Sequence, residues 1–184
     1  MNVYDFDDTI YDGDSTADFV KYSFCHRPKT LLCLPKIGIT GLLFVLHLVD
    51  KMTFKKTLYS YFRYIPDMDD FVDEYVEKHL HNIKPWYYAQ QRSDDVVISA
   101  SPLFIVKRFC DKIGIKNCMA SNVDPHTGKY DGENCWGPEK VKRFYASFPQ
   151  GVIDNFYSDS YSDDPLAKLA KKAFIVKGND LKKW

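Results

Sequence analysis

Residues 1–16 read MNVYDFDDTIYDGDST. A short apolar start gives way at once to acids: Asp5, Asp7, Asp8, Asp12 and Asp14. A solvated turn accounts for some of them. It does not account for Asp5 and Asp7 flanking Phe6, with Thr9 and Ile10 next. Residues 1–6 read as a short buried strand. In extended chain, side chains alternate, so Asp5 and Asp7 point to the same side at the strand's carboxyl end. Two carboxylates so placed repel each other, and a hard cation such as Mg2+ relieves the repulsion.

The pattern downstream decides what that strand belongs to. From Tyr11 to Lys84 the signals are helical: a first helix through Tyr22, a second carrying Phe54, Leu58, Tyr61 and Phe62, and a third over residues 69–81. Pro66 and Pro85 separate and end them. After residue 85 strands and helices alternate. DDVVISAS reads as a buried parallel strand, Ser101-Pro102 as the start of a helix through Asp111, and residues 117–121 as a strand. The turn-rich residues 124–132 suggest a hairpin, and Gly137-Pro138-Glu139 opens a helix through Tyr145. Residues 152–157 form a strand, 165–172 a helix and 173–177 a last strand. The expected fold class is α/β: a Rossmann-like parallel sheet flanked by helices, with a helical cap inserted after the first strand. Its core spans residues 1–11 and 86–184, and its cap 12–85.

Bulk properties narrow the function. The chain of 184 residues suits one ordinary domain. Its 25 basic and 25 acidic residues cancel, which argues against nucleic acid as a partner. Cys25, Cys33, Cys110, Cys118 and Cys135 form no CxxC pair, so they read as reduced thiols of a cytoplasmic protein rather than zinc ligands. No signal-peptide pattern is present. Residues 31–49, LLCLPKIGITGLLFVLHLV, approach the length of a membrane span. Pro35, Lys36, Gly38, Gly41 and His47 interrupt them, so a helical hairpin packing the core of the cap is expected. Contact with a membrane surface is the less favoured reading.

In open α/β sheets, ligands bind at the carboxyl ends of the strands. There the sequence places Asp5 and Asp7, then Ser99, then a second acidic loop, DSYSDD over residues 159–164, with Lys140 early in a helix. Acids that hold a metal, beside a lysine and N–H groups that hold an anion, suit phosphoryl transfer.

The ordered set DFDDT, ISAS, GPEKVKRF and DSYSD resembles the haloacid dehalogenase-like hydrolase superfamily, and most closely its phosphoserine phosphatase-like branch. That resemblance implies a Mg2+-dependent phosphomonoester hydrolase with a small phosphate ester as substrate. Asp5 would be the nucleophile and Asp7 the general acid and base. Ser99, with the N–H of Ala100, would hold a phosphate oxygen, and Lys140 would balance charge. Asp5, Asp7 through its carbonyl, Asp159 and Asp163 would serve the metal. Asp8 stands where the family commonly has a small residue such as Gly, and points to solvent. Ser101 and Asp164 read as helix caps. Asp14 falls where phosphoserine phosphatases carry an acid for the substrate ammonium. Their substrate-binding arginine has no direct match: Tyr59 occupies the position, with Arg63 one turn on, which weakens the case for phosphoserine itself. A lipid phosphate, a phosphotransferase reaction and a non-catalytic binding module are the alternative readings.

Overall fold

The computed structural model describes all residues, Met1–Trp184. Six strands form one sheet in the order β3-β2-β1-β4-β5-β6. They are β1 (Asn2–Tyr4), β2 (Val96–Pro102), β3 (Asn117–Ser121), β4 (Ile153–Ser158), β5 (Ala170–Lys177) and β6 (Asp180–Lys183). The first five are parallel, and β6 runs antiparallel to β5. This is the expected Rossmann-like α/β architecture. The central β1 is buried at every residue, as a strand covered on both faces must be. Val3 faces one side with Ile98, Phe144, Ile153 and Phe156. Tyr4 faces the other and stacks on Tyr157, ring centroids 4.8 Å apart.

Between β1 and β2 come five α-helices: α1 (Ser15–His26), α2 (Leu34–Val45), α3 (Lys51–Leu58), α4 (Met68–His79) and α5 (Pro85–Gln90). This insertion shares its core with the sheet, α2 and α3 touching it only at the edge through Ile37 and Leu58. Phe19 of α1 meets Phe62 and Tyr75, and Tyr75 of α4 meets Phe109, with centroids 5.0 to 6.1 Å apart. The remaining helices are α6 (Leu103–Lys112), α7 (Pro138–Ser147) and α8 (Asp164–Ala167).

Four expectations need correction. First, β2 runs on to Pro102 and α6 starts only at Leu103, because the register against β3 shifts between Ile98 and Pro102 and re-pairs Pro102 with Ser121. β1 has already ended on the other side, so the missing proline N–H costs no ladder bond there. Second, the helix expected over 165–172 stops at Ala167, and β5 begins at Ala170 opposite Ile153. Pairing with β4 overrides the helical spacing of LAKLAKK. β6 then returns through Gly178-Asn179, with Gly178 at φ +60°, a two-residue hairpin signal the sequence reading passed over. Third, residues 124–132 form a turn held by a single bridge, Val123 to Tyr130, rather than a strand hairpin.

The fourth correction is the largest. Most of residues 31–49 do not pack the core of the insertion: Cys33 is buried in it and Ile37 packs at its edge, but α2 has no buried residue. Helix α2 lies against α3 through stacked Phe44 and Phe54 rings, 5.3 Å apart, and leaves its other side exposed.

Candidate active site

The end of β1 is shaped by a tight loop. Asp5 N–H still donates to Tyr157 O at 2.9 Å, as a strand residue. Then Ile10 and Tyr11 N–H both turn back to Phe6 O at 3.0 Å. Asp8 adopts φ +54° within this turn, a left-handed conformation that favours glycine and that aspartate tolerates. Its side chain is exposed. Buried Lys84 ties the loop down from outside by donating to Asp8 O at 2.7 Å and Gly178 O at 2.8 Å.

Asp5, Lys140 and Asp163 form one buried ionic group. Lys140 Nζ donates to Asp5 Oδ1 at 2.7 Å and to Asp163 Oδ2 at 2.6 Å. Lys140 reaches the site because Gly137, at φ +55°, turns the chain into α7. Burial pushes Asp5 up to about 7; Lys140 opposes that rise and Asp163 adds to it. Burial lowers Lys140, but the two carboxylates outweigh it and leave the lysine raised, so it stays charged. One cation thus faces two carboxylates.

Asp7 stands in a separate hydrogen-bond set. Ser15 N–H donates to its Oδ1 at 2.7 Å and Ser15 Oγ at 2.5 Å, while Ser101 Oγ donates to Oδ2 at 2.5 Å. Thr16 Oγ1 in turn donates to Ser101 Oγ at 2.8 Å. Burial, followed by the charge of Asp14, raises the Asp7 carboxyl above its ordinary value despite these donors. A carboxyl so raised holds its proton to higher pH than an exposed one, which suits a general acid.

Of the residues expected here, Ser99 is buried, 3.4 Å from Asp7 Oδ2, and its Oγ accepts from Ser101 N–H at 3.0 Å. Ala100 is half-buried beside it, its carbonyl accepting from Ser121 Oγ at 3.0 Å. Asp159 is half-buried; its N–H donates to Thr9 Oγ1 at 3.0 Å, and burial, then Asp8, raises its carboxyl. Asp163 is occupied by Lys140 and by Ser158 Oγ at 2.9 Å, while its Oδ1 is buried without a partner. Through Oδ2 it holds the lysine. Asp14 caps α1, accepting from Ala17 N–H at 2.9 Å. Arg63 is exposed, donates to Ser60 O at 2.9 Å and lines a depression with Lys36, Lys56 and Lys129, apart from the other expected site residues.

Three residues at the site escaped the sequence reading. Ser101 is no helix cap; it holds Asp7. Ser15 holds the other oxygen, and its own carbonyl accepts from buried Tyr75 OH at 2.7 Å. Lys55 of α3 donates to Ala100 O at 3.2 Å, so the inserted helices bring a cation of their own to the strand ends. A groove lined by Lys51, Lys55, Lys56, Lys142 and Trp136, with Asp50, Glu133 and Glu139 among them, opens beside it.

No three His, Cys, Asp or Glu side chains are grouped as a ready-made metal cage. The donor chemistry nevertheless suits a hard divalent ion: carboxylate oxygens of Asp5 and Asp159, raised by burial, with one negative charge in excess around Lys140.

Acids at the end of a central parallel strand, a lysine from a later helix and a second acidic loop define a class of α/β hydrolase. The family model of the haloacid dehalogenase-like hydrolases matches residues 3–168, and the chain belongs to that family. No curated protein matches it in sequence. Among solved structures it is similar to a protein of unknown function from Bordetella pertussis Tohama I, with TM-score 0.74 and 14% identity over 94% of this chain and 87% of that one. A HAD family hydrolase from Salmonella enterica serovar Typhi gives 0.63 and 11% identity over 91% of this chain and 59% of that one. A phosphoserine phosphohydrolase-like protein from Francisella tularensis gives 0.55 and 15% over 94% and 86%. At these identities the likeness is one of fold.

Proposed function

We propose that this family member is a Mg2+-dependent phosphomonoester hydrolase acting on a small phosphate ester, with residues 12–85 serving as its cap. The observation that carries the reading is the buried Asp5–Lys140–Asp163 group beside a separately held Asp7. In this reading Asp5 attacks phosphorus with the carboxylate oxygen that Lys140 leaves free. Asp7 gives its proton to the departing alcohol oxygen, and an aspartyl phosphate remains. Asp7, now ionised, takes a proton from water, whose oxygen attacks phosphorus, releasing phosphate and restoring Asp5. Ser99 and Ala100 hold phosphate oxygens, and Lys140 offsets their charge. Asp5, Asp159 and the Asp7 carbonyl would hold Mg2+, which supplies charge neutralisation between a carboxylate nucleophile and an anionic phosphate. The phosphohydrolase-like neighbour from Francisella supports the reaction class. Lys55 is better placed than Arg63 to meet a second anionic group on the substrate.

The test is hydrolysis of an aryl phosphate, with and without Mg2+, by the wild type and by Asp5→Asn. Loss of turnover by at least about a thousandfold is expected from removing a nucleophile. An Asp5→Asn protein that kept most of its activity would sink the mechanism.

A further inference from the structure

Helix α2 has two apolar stripes where a helix at the surface of a soluble domain needs one. Ile37, Gly41 and Phe44 turn inward: Ile37 packs on the main core, Gly41 sits under Phe54, and Phe44 stacks on Phe54. The second stripe is Ile39, Leu42, Val45 and Leu46. These four are 56% to 70% exposed, and Leu32 and Leu48 extend the surface at either end with 69% and 68%. Together they form a contiguous aliphatic face with no protein against it. Such a face on a folded chain marks a place where something apolar binds.

The charges around it say what. Within residues 28–56 there are five lysines, Lys29, Lys36, Lys51, Lys55 and Lys56, of which Lys55 is turned to Ala100, and one acid, Asp50. That is four positive charges in excess, in a chain whose total is zero. None of the five pairs with a carboxylate; the ion pairs of the structure lie elsewhere. Asp50 is committed to capping α3 through Thr53 N–H. Two copies meeting through this face would bring like charges together. A bilayer with anionic headgroups offers hydrocarbon to the leucines and negative charge to the lysines.

The segment Pro28–Val45 is long and apolar enough to cross a membrane by length and composition. Its inner stripe argues against crossing, because Ile37 and Phe44 are engaged with the rest of the protein. We propose that the exposed stripe of α2, with its flanking lysines, docks the protein in the plane of an anionic membrane surface. Helix α3 packs on α2 and carries Lys55 to Ala100. Docking through α2 therefore also holds α3, whose Lys55 reaches Ala100, at the membrane.

Sedimentation with vesicles tests this without reference to turnover, so it stands or falls apart from the hydrolase reading. The probes are vesicles of phosphatidylcholine alone and of phosphatidylcholine with phosphatidylserine. Wild type should pellet with the mixed vesicles, less so in high salt and least with phosphatidylcholine alone. The variant Leu42→Ser/Leu46→Ser should lose partitioning by about tenfold or more, while keeping its melting temperature and its far-UV circular dichroism. Wild type that stays in the supernatant with both vesicles overturns the proposal. So does equal binding by the double variant, or a wild-type dimer in ultracentrifugation that the variant makes monomeric without any vesicle binding.

Discussion

Substituting Asp5 by Asn should stabilise the metal-free protein at alkaline pH. The buried group holds one cation, Lys140, against Asp5 and Asp163. Asn keeps an oxygen for Lys140 to donate to and removes the surplus charge. The magnitude follows from the Asp5 carboxyl, raised from 3.8 to about 7. Because the folded-state value is raised, the contribution of Asp5 to stability is complete below pH 3.8 and is lost as pH climbs through about 7. A rise of roughly three units at about 1.36 kcal/mol each corresponds to ~4 kcal/mol as an upper bound, part of it shared with Lys140 and Asp163. For a chain of this size that is a gain in Tm of up to roughly 10 °C. Differential scanning fluorimetry between pH 4 and pH 8.5 reads it. Wild type and variant should coincide near pH 4 and diverge as pH rises, with the variant higher. Mg2+ at pH 8 should raise the wild type more than the variant, since it relieves the same repulsion. A variant no more stable than wild type at pH 8 without metal, or equally more stable at pH 4, would show that no surplus charge resides there.

Two further outcomes follow from other contacts. Ser101→Ala removes a donor that lowers the Asp7 carboxyl, so Asp7 should hold its proton to higher pH and the pH–rate profile should move in the alkaline direction, with activity down by about tenfold or more; an unmoved profile would show that Ser101 does not tune Asp7. Gly128→Ala would place a Cβ 2.1 Å from Tyr59 O at φ +71°, where the backbone of α3's following turn presses on the 124–130 loop; chemical denaturation should show a loss of at least about 1 to 3 kcal/mol, and an unchanged midpoint would contradict that close approach.

Much of the candidate site was legible because strand ends are punctuated in the sequence. Asp5, Asp7, Ser99 and Lys140 each follow a strand or open a helix, so α/β topology alone brings them near one another. Ser101 was misread because its neighbour Pro102 signals a helix start, while the observed shift in pairing against β3 depends on Ser121, remote in the chain. Lys55 and Ser15 were missed for a related reason: their partners, Ala100 and Asp7, lie 45 and 8 residues away across loops with no periodicity. The apolar run 31–49 was read as core because composition reports hydrophobicity and not what stands opposite. Only the packing of Phe44 on Phe54 shows which half of α2 was provided with a neighbour.

The shared aromatic core has a mechanical consequence. Phe19, Tyr75 and Phe109 interlock rings across the junction between the inserted helices and the sheet, so a lobe swinging on a hinge would have to pull apart a packed interior. Helices α2 and α3 bury none of their residues completely, and an element so lightly anchored can shift at far smaller cost. The α2–α3 arm is therefore the part of the insertion whose displacement would break the fewest buried contacts, and the same arm carries both the leucines that face outward and the lysine that touches the strand ends.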